Sequence, residues 1–243
     1  MKNYTKKATT LVRSGSTIEN HPQNQIAISQ VFPYKYICVE GNIGAGKTSF
    51  CQLIKTEYNC KLILEQFADN PFLPLFYNDP QRYAFTVELF FMTERYKQLQ
   101  NELTQDLFYD FTIADYTFVK TLLFARQNLR DDEYRMFQKM FNVLSQNFPN
   151  PDILVYLHRD VDMLQGNIKK RGRQYEATIS NDYLTNVQNS YFEYLRNILQ
   201  FPVLIIDINN LDFLHNPKQY QTVKDLLKKE YRPGVHRVSL LNL

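Results

Sequence analysis

The sequence predicts an α/β fold in which a five-stranded parallel sheet carries helices on both faces. Short apolar runs alternate along the chain with longer segments that have a helical period. The apolar runs are continuous, as expected for strands that helices cover on both sides. A chain of 243 residues with 44% hydrophobic and 22% charged residues also fits one large globular domain.

The predicted elements follow one another as strand, helix, strand, helix. The predicted strands are the apolar runs 34–40, 61–65, 111–116, 152–158 and 202–208. The predicted helices are the periodic segments 47–58, 83–103, 131–146, 161–171, 181–199 and 217–231. Asp160 and Ser180 precede two of these helices as N-caps, because their side-chain oxygens can accept hydrogen bonds from first-turn amides.

The two ends of the chain differ from this body. Residues 1–33 are predicted to form a flexible tail, because Ser, Thr, Asn and Gln dominate there and bury too little apolar surface to offset the entropy of ordering. The first 17 residues have the composition of an organelle transit peptide, but they lack an amphipathic period, which favours a disordered extension. Residues 34–231 form the predicted domain, and 232–243 are treated as a C-terminal tail.

Composition narrows the classes of partner. A net charge of +3 gives little support to a polyanion-binding role, so we expect no nucleic-acid partner. The three cysteines have no metal-ligand spacing and suit a reducing compartment. No apolar run approaches the roughly 18 residues of a membrane helix. These features predict a soluble, cytoplasmic protein without a membrane partner.

The segment EGNIGAGKTSF, residues 40–50, holds three of the chain's seven glycines. It matches the template G-x-x-x-x-G-K-[ST] between a predicted strand and a predicted helix. Glycines there let successive N–H groups converge on an anion at a helix N-terminus, which predicts a phosphate-binding loop (P-loop) for a nucleoside triphosphate. Lys47 would bind the β- and γ-phosphates of ATP, and the Thr48 hydroxyl would bind Mg²⁺. The predicted ATP-binding residues are Gly41, Asn42, Ile43, Gly44, Ala45, Gly46, Lys47, Thr48 and Ser49.

A small kinase needs three further groups, and the sequence offers a candidate for each. Glu65 closes the second predicted strand at the sheet edge where open α/β sheets bind ligands, so it is the candidate general base. Asp115 closes the third strand in the same way and is the candidate carboxylate beside the metal. Arg171 and Arg173 flank a glycine after a predicted helix and are interpreted as a lid over ATP.

The ordered set of segments resembles the deoxyribonucleoside kinase family, whose P-loop enzymes phosphorylate the 5′-hydroxyl of deoxynucleosides. The likeness covers residues 36 to about 208. It rests on the segments EGNIGAGKT, LEQFADNPFL, FYNDPQRYAFTVELFFMTERYKQL, ADYTFVKTLLFA and KKRGRQYE. The resemblance implies a P-loop kinase fold with an arginine-rich lid. It also implies an ATP- and Mg²⁺-dependent deoxynucleoside 5′-kinase of nucleotide salvage and a homodimer.

The resemblance also implies roles for individual residues. Glu65 looks like the general base, Asp115 like the acidic residue that helps Thr48 hold Mg²⁺, and Arg171 and Arg173 like the lid arginines on the ATP phosphates, which with Lys47 make up the catalytic set. The substrate-binding set implied is Glu65, Tyr77, Glu88, Arg95, Asp115 and Glu176. Within that set, Tyr77 and Glu176 stand where the family holds the sugar 3′-hydroxyl. Arg95 stands at the substrate-site arginine.

Two positions depart from the family pattern. Tyr116 follows Asp115 where the family has an arginine, and Lys120, about one helical turn later, can supply the missing charge. Glu88 stands where a base-reading glutamine is expected. An ionised carboxylate only accepts hydrogen bonds, which suits guanine, whereas a protonated one also suits adenine. Thr121 replaces an aspartate of many pyrimidine-tolerant members, so we expect a purine deoxynucleoside.

Two other functions remain open on the sequence. A nucleoside monophosphate kinase such as thymidylate kinase shares the P-loop and the arginine lid, but needs arginines for the acceptor's phosphate. A non-catalytic nucleotide sensor is suggested by the loss of the arginine at Tyr116. Three aromatic residues of the helix 83–103 are candidates to line a base pocket, although packing in the core is favoured for any one of them. These residues are Phe85, Phe90 and Phe91.

Overall fold

A parallel sheet forms the centre of the protein in the computed structural model, which describes residues 32–66, 70–103 and 107–240. Within those residues the sheet has six strands in the order β2-β3-β1-β4-β5-β6, and every neighbouring pair is parallel. The strands are β1 (Tyr36–Glu40), β2 (Cys60–Ile63), β3 (Phe111–Ala114), β4 (Ile153–His158), β5 (Pro202–Asp207) and β6 (Gly234–Ser239). The order reverses at β1, so the crevice at the carboxyl ends of β1 and its neighbours is the expected ligand site.

Eight α-helices connect these strands within the described residues. They are α1 (Lys47–Glu57), α2 (Leu73–Asn78), α3 (Pro80–Glu102), α4 (Lys120–Asn128), α5 (Asp131–Ser145), α6 (Val161–Arg171), α7 (Asn181–Arg196) and α8 (Pro217–Leu227). A 3₁₀ turn, Gln174–Glu176, lies between α6 and α7. Both predicted N-cap positions are confirmed, and the Ser180 side chain accepts a hydrogen bond from the amide of Tyr183. None of the described helices is long and apolar enough to cross a membrane.

Helices cover both faces of the sheet, as the continuous apolar runs predict. On β4, Val155 and Leu157 belong to the cluster that packs against α1 and α6, whereas Leu154 and Tyr156 pack with α7 on the other face. All four side chains are buried. Because successive strand residues point to opposite faces, a strand buried on both sides must be apolar at every position.

The structure differs from the predicted five strands by adding β6. This strand lies inside the segment 232–243, which the sequence analysis treated as a C-terminal tail. Its residues alternate between half-buried and exposed, since β6 pairs only with β5 and forms the edge of the sheet. An edge strand of this kind has no continuous apolar run, which is why the criterion used for the other five missed it.

Two helices also lie outside the predicted set. The structure has α2 and α4 where the sequence analysis assigned motifs but no secondary structure. The predicted tail 1–33 lies outside the described residues except for its last two. Of these, Phe32 is buried, and its ring packs against the rings of Tyr58 and Phe111.

Candidate active site

The P-loop lies between β1 and α1 and closely contacts α6. Gly44 has φ 82°, and a Cβ there would lie 2.8 Å from the carbonyl oxygen of Leu164. Gly46 caps α1 with φ 91°, and a Cβ there would lie 3.0 Å from the ring of Phe213. The left-handed backbone and the lack of space both require glycine at these two positions. This explains why a chain with few glycines places three in one loop.

Two side chains of the loop hold its shape from within. The Asn42 amide donates to the carbonyl of Leu184 at 2.8 Å and accepts from the amide of Ile43 at 2.8 Å, so this side chain is directed into the protein. The Lys47 ammonium donates to the carbonyls of Gly41 and Asn42, both at 2.9 Å. Burial and the nearby charge of Lys120 lower the pKa of Lys47 to about 8. The Lys47 amine is therefore held against the loop by two of the loop's own carbonyl groups.

Thr48 and Asp115 meet beside the loop. The Thr48 hydroxyl donates to Asp115 Oδ2 at 2.5 Å, and the backbone N–H of Glu65 donates to Asp115 Oδ1 at 2.7 Å. Asp115 follows β3 and is almost fully buried. It thus joins the start of α1 to the end of β2, and it places a carboxylate next to a hydroxyl at the carboxyl edge of the sheet.

Glu65 lies opposite the P-loop in the same crevice, and its side chain is held by two cations. Arg95 binds Glu65 Oε1 through Nη2 at 2.6 Å and through Nε at 2.9 Å, and the Lys120 ammonium contacts Oε2. Burial alone would raise the pKa of Glu65. The charges and hydrogen bonds of Lys120 and Arg95 outweigh it and hold the pKa well below its usual range. Glu65 is therefore ionised at neutral pH.

Tyr116 stands directly after Asp115, where the family resemblance predicts an arginine, and Lys120 begins the helix that follows. The Tyr116 ring is fully buried, and its hydroxyl donates to Gln98 at 2.8 Å. Among the described residues, the Tyr116 side chain forms no hydrogen bond with the carboxylate of Glu65. Lys120, at the first position of α4, brings the positive charge to Glu65 instead. That Lys120 supplies the charge of the missing arginine stays a prediction.

A cavity lined by the predicted substrate-binding residues lies next to the P-loop, between α2, α3, α4 and α7. It is called the acceptor cavity below. Its volume is about 110 Å³, below the roughly 300 to 1,000 Å³ that is usual for ligand sites, so a ligand of ordinary size enters only when side chains of the cavity wall move. Of the three aromatic candidates, Phe91 lines the cavity and carries the Arg95 guanidinium over its ring at 4.9 Å. Phe85 packs on Phe137, and Phe90 packs on Phe72. The residues that line the cavity include Lys47, Glu65, Tyr77, Glu88, Arg95, Lys120, Asn128, Glu176 and Tyr183.

Glu88 also lines this cavity, and only 2% of its surface is exposed. Its Oε1 accepts a hydrogen bond of 2.5 Å from the Asn128 amide, and its Oε2 has no hydrogen-bond partner among the described residues. Burial raises the pKa of Glu88 to about 7, although the Asn128 hydrogen bond and the Arg95 charge act in the opposite direction. The carboxyl group therefore titrates near neutral pH.

The residues of the predicted lid lie at and just after the end of α6 and line the cavity. Arg171 ends α6, and Arg173 follows Gly172, whose φ of 70° turns the chain. Both arginines bind the buried carboxylate of Glu176, Arg173 at 3.2 Å. Next to Glu176, the Tyr175 ring stacks on Tyr77 of α2, with centroids 6.2 Å apart. The lid is thereby in contact with the wall of the acceptor cavity.

A wider cleft of about 810 Å³ lies on the other side of the P-loop. Lys47, Thr48, Arg171 and Arg173 line this cleft and the acceptor cavity, so these four side chains stand between the two spaces. The predicted ATP-binding residues that line the cleft are Gly44, Ala45, Gly46, Lys47, Thr48 and Ser49.

Several lining residues were absent from the predicted site. In the wider cleft they include Arg159 and the loop 209–215, which lie just after β4 and β5. In the acceptor cavity they are Asn128 at the end of α4 and Tyr183 in α7. The rule that ligands bind beyond the carboxyl ends of parallel strands would have pointed to the first two. Asn128 and Tyr183 carry no local sequence signal, because only the packing of their helices brings them to the cavity.

The chain is similar to known proteins along most of its length. Residues 37–231 match the sequence model of the family described as deoxynucleoside kinase. The deoxyguanosine kinase of Bacillus subtilis (strain 168) is 30% identical over 201 residues, which cover 80% of this chain and 96% of that protein. The deoxyadenosine kinase of Dictyostelium discoideum is 30% identical over 198 residues, 81% of this chain and 79% of that protein. The structure of deoxyadenosine kinase from M. mycoides with bound dATP matches with a TM-score of 0.69 and 26% identity, over 79% of this chain and 99% of that chain.

Proposed function

The chain belongs to the deoxynucleoside kinase family, and from that premise we propose that it transfers the γ-phosphate of ATP to the 5′-hydroxyl of a purine deoxynucleoside in nucleotide salvage. The observation that carries this proposal is the position of Glu65. Its carboxylate and the Lys47 ammonium line the same acceptor cavity, with the wider cleft on the other side of the P-loop. A phosphate bound at the loop and a hydroxyl beside Glu65 would then face each other.

The P-loop and the lid would bind the triphosphate. The backbone amides of the loop and the N-terminus of α1 favour an anion there. Lys47 is held by neutral carbonyls, and its pKa is lowered to about 8, so an incoming phosphate offers the amine a stronger partner. Arg171 and Arg173 lie between the cleft and the cavity, where charge develops on a phosphoryl group in transfer.

Mg²⁺ fits beside the loop. The Thr48 hydroxyl and the Asp115 carboxylate are the hard oxygen ligands that this ion prefers, and they lie 2.5 Å apart. The described residues hold no cluster of three or more His, Cys, Asp or Glu suited to a metal. Two protein ligands suffice, because Mg²⁺ usually keeps waters and binds substrate phosphates. The bound ion would neutralise negative charge on the β- and γ-phosphates.

Glu65 would orient the 5′-hydroxyl and accept its proton. Arg95 and Lys120 keep the carboxylate ionised and fix its direction. A carboxylate with such a low pKa is a weak base. This is compatible with phosphoryl transfer, since the transition state is largely dissociative and the hydroxyl proton becomes acidic as the new O–P bond forms.

The sugar and the base would fill the rest of the acceptor cavity. Tyr77 and Glu176 lie together at the lid, where they would hold the 3′-hydroxyl. Arg95 binds Glu65 and also donates a hydrogen bond through Nη1 to the Thr121 hydroxyl at 2.9 Å. Glu88 lies where the base would end. The names of the relatives, deoxyguanosine kinase and deoxyadenosine kinase, support a purine as that base.

Charge in the cavity disfavours a nucleoside monophosphate as the acceptor. A monophosphate needs cations that are available to bind it. Arg95 and Lys120 are both paired with Glu65, and the lid arginines are both paired with Glu176. A neutral nucleoside does not need any of these four cations to balance a charge of its own.

The test measures ADP formation with ATP, Mg²⁺ and each of the four deoxynucleosides. We expect ADP with a purine deoxynucleoside. Glu65→Gln should lower kcat about 10²- to 10⁴-fold with little change in KM, since it removes the group that receives the proton. Glu94→Gln is the matched control, because Glu94 is a partly exposed residue of α3 whose one ion pair in the described structure is with Lys97. Nucleoside and ATP binding without ADP formation would instead support a sensor, and turnover of deoxynucleoside monophosphates would support the rival kinase.

We also propose a homodimer. Met136 and Val143 on α5 are 53% and 68% exposed, although this helix buries Phe137 and Phe141 on its other side. A second apolar face on a surface helix supports contact with another copy. Light scattering on the purified chain tests this, with Val143→Glu expected to yield a monomer.

A further inference from the structure

We propose that Glu88 and Asn128 form a donor–acceptor–acceptor array that reads the Watson–Crick edge of guanine, so that deoxyguanosine is the preferred substrate. This inference rests on the proposed kinase function and names the substrate of the same site. Glu88 belongs to α3 and Asn128 ends α4, and both residues line the acceptor cavity.

The array can form hydrogen bonds to a ligand at each of its three atoms, although the Asn128 amide also interacts with the Tyr183 hydroxyl, which a ligand group at Asn128 would have to displace. The Asn128 Nδ2 group has two hydrogens and donates one to Glu88 Oε1 at 2.5 Å. Oε1 keeps a second lone pair, and Oε2 has no partner among the described residues, although it is buried. A buried carboxylate oxygen without a partner is costly, so its natural complement is a donor on a ligand.

Guanine presents the complementary order on its edge. Its O6 is an acceptor, and its N1–H and N2–H are neighbouring donors. The carboxylate of Glu88 can accept from both N–H groups while the second Asn128 hydrogen reaches O6. Adenine offers one donor at N6 and an acceptor at N1, which faces an ionised oxygen with no proton between them. Cytosine likewise places its N3 acceptor there. The array therefore selects guanine through the mismatches of the other bases.

The charge state of Glu88 then controls the selection. The ionisable groups that face it are Arg95 on α3, Glu65 after β2, Lys120 on α4 and Tyr183 on α7. Burial dominates their combined effect and leaves the pKa near 7. Below that pH the neutral carboxyl has one donor and one acceptor, the pattern that pairs with adenine. Above it, two acceptors remain for guanine.

The experiment compares nucleosides that differ by one group, using both ADP formation and calorimetric binding. Deoxyinosine lacks the N2 amino group, and 2′-deoxy-6-thioguanosine replaces O6 by sulfur, a weaker acceptor. We expect the wild type to prefer deoxyguanosine to deoxyinosine by about 10- to 100-fold, as for a hydrogen bond to a charged group. Glu88→Gln should reduce that ratio to about one. Asn128→Ala should reduce the preference over the thio analogue.

The pH dependence adds a readout that a merely structural role would not change. The ratio of deoxyguanosine to deoxyadenosine affinity should rise at least about fivefold between pH 6 and pH 8 in the wild type and in Glu94→Gln, but stay constant in Glu88→Gln. Equal binding of deoxyguanosine and deoxyinosine by the wild type overturns the array, whether or not ADP forms. Selective binding of deoxyguanosine without ADP formation would support the array and refute the kinase function. The failure of the array and the failure of the kinase function are therefore distinguishable.

Discussion

Replacing Glu88 by glutamine should make the protein more stable at neutral and alkaline pH. In the folded protein the pKa of Glu88 is raised from 4.5 to about 7, whereas in the unfolded chain water surrounds the side chain and restores the ordinary value. Between those two pH values the unfolded chain releases a proton that the folded protein retains. The free energy of unfolding therefore falls as pH rises from about 4.5 to about 7 and then levels off.

The size of this effect follows from the shift. A difference of about 2.5 pH units at about 1.4 kcal/mol per unit corresponds to about 3 kcal/mol of lost stability above pH 7. Glutamine does not titrate, so Glu88→Gln escapes this loss. Its amide buries an N–H group next to Asn128, which takes back about 1 kcal/mol. We expect a net gain of about 2 kcal/mol at pH 8 and a small net loss at pH 4.5.

Urea denaturation of both proteins from pH 4.5 to pH 8.5 measures the difference directly. Glu94→Gln should change the free energy of unfolding by less than about 0.5 kcal/mol at every pH, since Glu94 is a partly exposed position of the same helix with one surface ion pair. A difference between wild type and Glu88→Gln that stays constant across this pH range would refute the reasoning. It would mean that Glu88 is solvated in solution, and the case for a buried base-reading carboxylate would fall with it.

Three further substitutions test separate parts of the site. Gly44→Ala should lower the free energy of unfolding by about 2 kcal/mol or more in urea denaturation, because φ is 82° and the Cβ would lie 2.8 Å from a carbonyl oxygen. An unchanged midpoint would show that the loop adapts. Lys120→Ala should lower kcat at least about tenfold, since Glu65 loses one of its two cations. The pKa of Glu65 then rises, so the acid limb of the kcat–pH profile should move to higher pH. An unchanged acid limb would show that Lys120 does not act on Glu65. Tyr116→Phe should cost about 1 kcal/mol of stability through the lost bond to Gln98 and leave kcat unchanged, and a large loss of kcat would return a catalytic role to Tyr116.

The sequence predicted those parts of the fold in which local pattern and final environment agree. The strands β1 to β5 are mostly apolar, so the runs that became them were visible in the sequence. The edge strand β6 is half-exposed and was not. The P-loop was visible for a related reason, because its function depends on backbone shape, and positions such as Gly44 tolerate one residue type only.

The rest of the site depends on distances that no local pattern contains. The ends of parallel strands share an edge, which is why Glu65 and Asp115 could be placed near the loop. The residues that pair with the side chains of the site lie on helices, so the packing of the helices determines which residues meet. Asn128 meets Glu88 only because α4 packs on α3, and the capacity of Lys120 to reach Glu65 rests on the same contact.

Glu176 has a consequence for how the two substrates influence each other. In the structure its carboxylate neutralises Arg171 and Arg173 together. While it is paired with both arginines, the Glu176 carboxylate cannot offer its full negative charge to a hydrogen bond from a sugar hydroxyl. Triphosphate oxygens that draw the arginines away would leave the carboxylate available to the nucleoside, and a bound nucleoside would release the arginines in return. Linkage requires the two effects to be equal, so ATP and nucleoside should each tighten the other's binding by one common factor.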